Sequence, residues 1–137
     1  MILVDTSAWV EFDRATGSAV HLRLRHLIGA CGGPGSPDAV AVTEPVIAEV
    51  LMGARSDPAE HQLRRLLDSF ALLPFVAASD FDGAVRIYRR CRRSGVTPRG
   101  LVDCMVAAVA MRHGARLLAQ DADIRRIAGV MHLRLDP

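Results

Sequence analysis

The sequence predicts an α/β domain built on a central, mainly parallel sheet with helices over both of its faces. Two observations carry this expectation. Short, largely apolar segments, Ile2-Leu3-Val4, Ala39–Thr43 and Ala115–Ala119, several of them continuous apolar runs, alternate with longer stretches of helical periodicity, and strands buried on both faces read as continuous apolar runs. The 137 residues, half of them hydrophobic, suffice for one substantial core, so a single domain spanning residues 1–137 is expected.

In chain order, Ile2 to Asp5 reads as a strand that ends at an acid, after which Thr6 or Ser7 can cap a helix through Ala8–Phe12. Val20, Leu24, Leu27, Ile28 and Cys31 share one helical face, and Gly32-Gly33-Pro34-Gly35-Ser36-Pro37 must be a connector. After the second strand, Pro45 suits the first turn of a helix that carries Glu49 and stops near Gly53. Leu63, Leu66, Leu67 and Phe70 give an amphipathic helix, and Leu72 to Val76 a weak strand interrupted by Pro74. Phe81, Ala84, Val85, Tyr88 and Cys91 mark a further helix whose outer side bears Arg86, Arg89, Arg90, Arg92 and Arg93. Leu101–His113 is apolar almost all round and therefore central, with Ala107 and Ala110 on the side of Asp103, where another backbone can come close. Gly114 ends it, the third apolar strand follows, Asp121 to Ile127 begins a short helix, and His132–Leu135 reads as a last edge strand.

Composition excludes several classes. No apolar stretch approaches the ~18 residues of a membrane span, and no basic leader precedes the first acid at position 5, so a cytoplasmic protein is expected. The three cysteines, Cys31, Cys91 and Cys104, are odd in number and widely spaced, which favours core filler over a disulfide framework or a zinc site. All 17 basic residues are arginine. The absence of lysine removes the P-loop, the haloacid-dehalogenase phosphatases and the receiver domains, and no GxGxxG follows the first strand to suggest a dinucleotide. The five histidines show no metal-ligand spacing and are expected at the surface, and Trp9 is expected in the core.

Four acids stand in apolar surroundings: Asp5 after Ile2-Leu3-Val4, Glu49 within Val46–Met52, Asp103 within Leu101–Val106, and Asp121 after Leu117-Leu118-Ala119-Gln120. A buried carboxylate is strained unless it is protonated, paired with a cation or bound to a metal. Asp5 and Asp121 each follow a strand, which places them at the edge where ligands bind in parallel sheets, and early-turn acids on the helices of Glu49 and Asp103 can point there as well. Oxygen ligands without histidine or thiolate select magnesium or manganese, and such ions promote phosphodiester hydrolysis. An acidic pocket in an otherwise arginine-rich chain suits a polyphosphate polymer as substrate. Taken singly, Asp5 and Asp121 can equally be helix N-caps, Glu49 and Asp103 can be buried partners of arginine, and Glu44 can be a first-turn acid facing its helix dipole.

Four stretches share a further property. Met1–Glu11, Thr43–Ala54, Gly95–Ala108, and Arg112-His113-Gly114-Ala115 through Gln120-Asp121-Ala122-Asp123-Ile124 resemble, in that order, the motifs of PIN-domain ribonucleases, specifically VapC-type toxins of bacterial toxin–antitoxin systems. The resemblance implies a three-layer α/β/α PIN-like fold and a magnesium-dependent endoribonuclease, manganese being able to substitute, that cleaves transfer or ribosomal RNA with a metal-activated water. By position, Asp5, Glu49, Asp103 and Asp121 match the acidic quartet that acts in catalysis and holds the ion, Glu49 directly or through water. Asp123 matches a secondary acid, Thr6 a hydroxyl beside the first acid, and Arg99 can contact the RNA backbone. A cognate VapB-type antitoxin, blocking the acidic pocket with an arginine or lysine, and a homodimer are the implied partners; the apolar faces of the first helices can support the latter. Two departures from the pattern are Gly100, where many members have serine, and Ile124, where an aromatic is usual. The competing reading is a non-catalytic PIN-like module that binds RNA or an antitoxin.

Overall fold

The computed structural model describes residues 1–30 and 32–137. Cys31, expected as core filler on the second helix, lies outside the described residues. The elements run β1 (Ile2–Val4), α1 (Thr6–Asp13), α2 (Ala19–Ala30), β2 (Val40–Val42), α3 (Glu44–Met52), α4 (Asp57–Asp68), β3 (Ala71–Leu72), α5 (Ala77–Arg93), α6 (Leu101–His113), β4 (Arg116–Leu118) and α7 (Ala122–Val130). Four parallel strands form one sheet in the order β3-β2-β1-β4. The chain winds outward from β1 through β2 to β3 and then crosses back to place β4 on the other side of β1. Because parallel crossovers are right-handed, that reversal lays α5 and α6 over the face opposite α1 to α4. The expected α/β/α layering follows, and its topological switch point lies between β1 and β4.

Burial follows the sequence pattern where the runs are continuous. Ile2, Leu3, Val4, Ala41, Val42, Leu117 and Leu118 are enclosed on both faces, and Trp9 packs in the same core against Phe12 and Phe70. Along α6, Val106, Ala107, Val109 and Ala110 are inaccessible to solvent, which confirms this helix as central. The small side chains let α5 come close: a Cβ on Gly83 would stand 3.2 Å from that of Ala108. Gly114 ends α6 in the left-handed conformation, φ +62°, which costs other residues backbone strain. Cys91 and Cys104 are buried filler on α5 and α6.

Several local expectations need correction. Asp5, not Thr6 or Ser7, caps α1, because its carboxylate reaches the Ser7 amide. Leu72–Val76 shrinks to the two-residue β3, since Pro74 has no amide to continue the ladder. His132–Leu135 forms only one isolated bridge, Leu135 to Leu117. On α5 the buried residues are Asp80, Ala84, Ile87 and Cys91, while Phe81 and Val85 face solvent. His21 is buried on α2, its Nδ1 accepting from the Gly17 amide at 2.9 Å. Of the apolar residues of the first helices, Ala8, Trp9, Leu24 and Leu27 are buried in the core and Leu22 is exposed.

Candidate active site

Both strands that flank the switch point end in an acid. Asp5 follows β1 and caps α1, and Asp121 follows β4 and caps α7, its carboxylate accepting from the Asp123 amide at 2.6 Å. Capping and site formation are therefore not alternatives: the same turn that satisfies a helix N-terminus brings each carboxylate to the sheet edge. Asp103 lies in the first turn of α6. Glu49 arrives differently from the early-turn placement expected, from the second turn of α3, and is fixed by the Thr6 hydroxyl, which donates to its Oε1 at 2.7 Å.

One residue without a role in the sequence reading beyond a possible cap stitches the two strand ends together. The Ser7 hydroxyl donates to Asp5 Oδ2 at 2.6 Å and accepts from the amides of Gln120 at 2.9 Å and Asp121 at 3.2 Å. The Asp5 amide in turn donates to the Leu118 carbonyl at 2.9 Å. Ser7 follows the first acid by two residues, but its bonds to residues 120 and 121 come from the sheet topology and have no local signature.

The acids fall into two electrostatic kinds. Asp123 is buried but compensated: Arg126 Nη1 lies 2.7 Å from its Oδ1, the Arg99 amide donates to its Oδ2 at 3.0 Å, and Arg99 Nε stands 3.4 Å away. The Arg99 amide first, then the Arg126 guanidinium, hold this carboxyl below its ordinary range against desolvation. Asp80 and Asp136, which sequence reading missed as buried acids, are of the same kind. Arg112 binds Asp80 through two contacts at 2.8 and 2.7 Å, and Arg23 and Arg116 bind Asp136 at 2.7 and 2.8 Å.

Asp5 and Asp103 are the opposite kind. Neither has an arginine partner among the described residues. Burial raises the Asp5 carboxyl above its usual range, the Ser7 bonds pull it back in part, and the nearby Glu49 and Asp121 add to the rise. Asp103 is pushed up to about 7, first by desolvation and then by Asp5, Asp121, Asp123 and Glu49. The other four sequence-predicted acids thus all act on Asp103, although only Asp5 and Asp123 are fully buried and Glu49, Asp103 and Asp121 are half-buried.

Asp103, Asp121 and Asp123 each offer a carboxylate oxygen within 4.8 Å of the other two. Hard oxygen donors converging without a compensating cation at Asp103 fit a divalent ion of the magnesium or manganese type. Beside this edge, a groove of about 680 Å³ runs past Trp9, Val10, Val50, Leu63 and Leu66, with Glu49 in its wall.

Comparison with other proteins identifies the family and the fold. A model of the PIN domain matches residues 2–130. The ribonuclease VapC11 of Mycobacterium tuberculosis is 42% identical over 134 residues, which cover 98% of this chain and 96% of that protein. The fold is similar to that of VapBC2 from Rickettsia felis, solved bound to a DNA fragment from its promoter, with a TM-score of 0.73 at 17% identity over 99% of this chain and 98% of that one. It is also similar to VapC20 of Mycobacterium tuberculosis, a toxin that cleaves the sarcin-ricin loop, with a TM-score of 0.66 at 24% identity over 98% and 99% of the two chains.

Proposed function

Because this chain belongs to the PIN domain family, and within it to the VapC ribonucleases, we propose that it is the toxin of a toxin–antitoxin pair and hydrolyses structured RNA, transfer or ribosomal, as a magnesium-dependent endoribonuclease. The observation that supports the reading is Asp103, without a cation among the described residues and acted on by Asp5, Asp121, Asp123 and Glu49, in a molecule that gives an arginine to the fully buried Asp80, Asp123 and Asp136. Asp103 and Asp121 would hold the ion, with Asp5 beside them and Glu49 reaching it directly or through water. A bound divalent ion lowers the pKa of water and stabilises the charge that develops on phosphate oxygens.

The chain's own residues supply the rest. Ser7 orients Asp5 and the Asp121 backbone, and Thr6 orients Glu49. Asp123 is occupied by Arg126 and Arg99, so we assign it to holding the Arg99 segment against the site, with Asp121 as the better ligand. Arg99, whose side chain is 79% exposed, is placed to meet an RNA phosphate. The groove with Glu49 in its wall, lined by Trp9, Val50, Leu63 and Leu66 but also by Asp13, Arg14 and Arg55, suits an antitoxin segment of mixed character, whose arginine or lysine would enter the acidic edge. A non-catalytic module gives no reason for leaving Asp103 without a cation.

The test is cleavage of purified transfer and ribosomal RNA with magnesium and with EDTA. Asp5→Asn and Asp103→Asn should each lower the magnesium-dependent rate by about 10³-fold or more, as loss of a group stabilising transition-state charge does. Cleavage by both variants at the parent rate would reject the site.

A further inference from the structure

The end of α5 carries a concentration of positive charge that the fold itself does not use. Arg89, Arg90, Arg92 and Arg93 are exposed and form no ion pair among the described residues. Two other exposed helix arginines pair locally, Arg64 with Glu60 and Arg86 with Asp82, each four residues apart; Arg25, Arg65 and Arg125 also lack an ion pair among the described residues, so what distinguishes the end of α5 is the clustering. On the last turns of α5 the residues three and four positions before each of these arginines include no acid. Arg89 instead faces Arg92 and Arg93, and Arg90 faces Arg86 and Arg93, spacings at which like charges repel. The helix dipole favours cations in the final turn, but it does not account for Arg89 or for so many at once. Arg89, Arg92 and Arg93 together line a shallow concavity of about 310 Å³.

The topology brings this cluster to the acidic edge. Asp80 at the start of α5 bonds Arg112 at the end of α6, and Gly83 abuts Ala108, so the two helices run antiparallel. The last turn of α5 therefore lies at the level of the first turn of α6. There Cys104 feels Cys91, Asp103 and Asp123. The arginines stand at that level on the exposed side of α5, turned away from the buried face of Ala84, Ile87 and Cys91. The connector between the helices carries Arg99, whose amide bonds Asp123, so positive charge continues from the cluster to the edge of the site.

Resting on the ribonuclease reading above, we propose that Arg89, Arg92 and Arg93 form a phosphate-binding track that holds the RNA backbone a few nucleotides from the scissile bond. These are positioning residues. They grip the polymer without reading its sequence, and they act through electrostatic contact that salt screens.

The experiment measures binding of a fluorescein-labelled single-stranded RNA oligonucleotide by anisotropy in EDTA, where cleavage is suppressed, across a series of salt concentrations. Arg89→Gln/Arg92→Gln is compared with the parent and with the charge-matched Arg25→Gln/Arg65→Gln on α2 and α4. Two lost phosphate contacts should reduce the slope of log K against log salt by about 1.4 and weaken low-salt binding on the order of 10-fold. Arg89→Lys/Arg92→Lys should recover most of both, because lysine also neutralises a phosphate. Equal losses in the control pair, or a slope unchanged from the parent, would overturn the track while leaving magnesium-dependent cleavage by the parent intact. A parent that neither binds nor cleaves RNA would overturn both readings. Unchanged RNA binding with lost antitoxin binding would assign the patch to a protein partner instead, and overturn the track.

Discussion

At the scale of single residues, what separates the half-buried Asp103 from the fully buried Asp80, Asp123 and Asp136 is above all the partner. Each of the last three meets arginine, whereas Asp103 meets only desolvation and four further carboxylates. The sign of its contribution to stability follows. Its carboxyl titrates near 7 when folded and near 3.8 when exposed, so between those values the folded chain keeps a proton that the unfolded chain has released. Asp103 therefore supports the metal-free fold below about pH 4, and that support is lost as pH rises through 7. Asp5, also raised, acts in the same direction. Asp38, Asp80 and Asp123 are lowered, so the stability they add is present above 3.8 and lost only as pH falls below it, outside this window. In EDTA the protein should melt higher at pH 5 than at pH 7.5, on the order of 5 °C. Asp103→Asn should melt above the parent at pH 7.5 and show a flatter profile. Parallel profiles for parent and variant in a thermal melt would remove Asp103 as the source. The acid's position was legible in the sequence from its apolar neighbours. Its lack of a counter-ion was not, because that depends on which arginines the fold brings near.

At the scale of elements, the same distinction explains what sequence reading located and what it missed. The strands β1 and β2 announce themselves by continuous apolar runs, and β4 and α6 by largely apolar ones, since much of each element is buried. The orientation of α5 does not, because its inner face includes a charge. Asp80 is buried only by virtue of Arg112, 32 residues away, while the equally apolar-looking Phe81 and Val85 are left outside. Asp80 also accepts from the Val76 amide at 2.7 Å, and Arg112 reaches the Pro74 carbonyl at 2.7 Å. One ion pair thus closes the start of α5, the segment after β3 and the end of α6 together. Removing one member of such a pair strands the other, so Asp80→Ala should destabilise the chain by about 3 kcal/mol. Urea unfolding should show a lower midpoint at unchanged slope. A loss below about 1 kcal/mol would mean that solvent around Arg112 replaces the acid, the behaviour of an exposed pair.

At the scale of the whole molecule, the strand order β3-β2-β1-β4 decides where every charge goes. The reversal at β1 gathers Asp5, Asp103 and Asp121 from elements far apart in the chain, and the acids at the carboxyl edge repel one another until something positive is bound. The sequence already put Asp5 and Asp121 at strand ends on one edge; that their two strands are neighbours required the topology. If the edge is a cation site, the ion binds the folded chain and not the unfolded one, and must raise its stability by mass action. Magnesium at 100 times its dissociation constant should stabilise the fold by about 2.7 kcal/mol, a rise in melting temperature of about 10 °C for a domain of this size. Asp103→Asn should start from a higher metal-free melting temperature and gain little from magnesium, because the variant has already lost the repulsion and the ligand together. Asp80→Ala should start lower and gain as much as the parent, because its defect lies at the far end of α6. The crossing of those two responses separates a metal site from general salt stabilisation. Equal magnesium shifts in all three proteins would place the ion elsewhere, and equal shifts with sodium at matched ionic strength would leave no site at all.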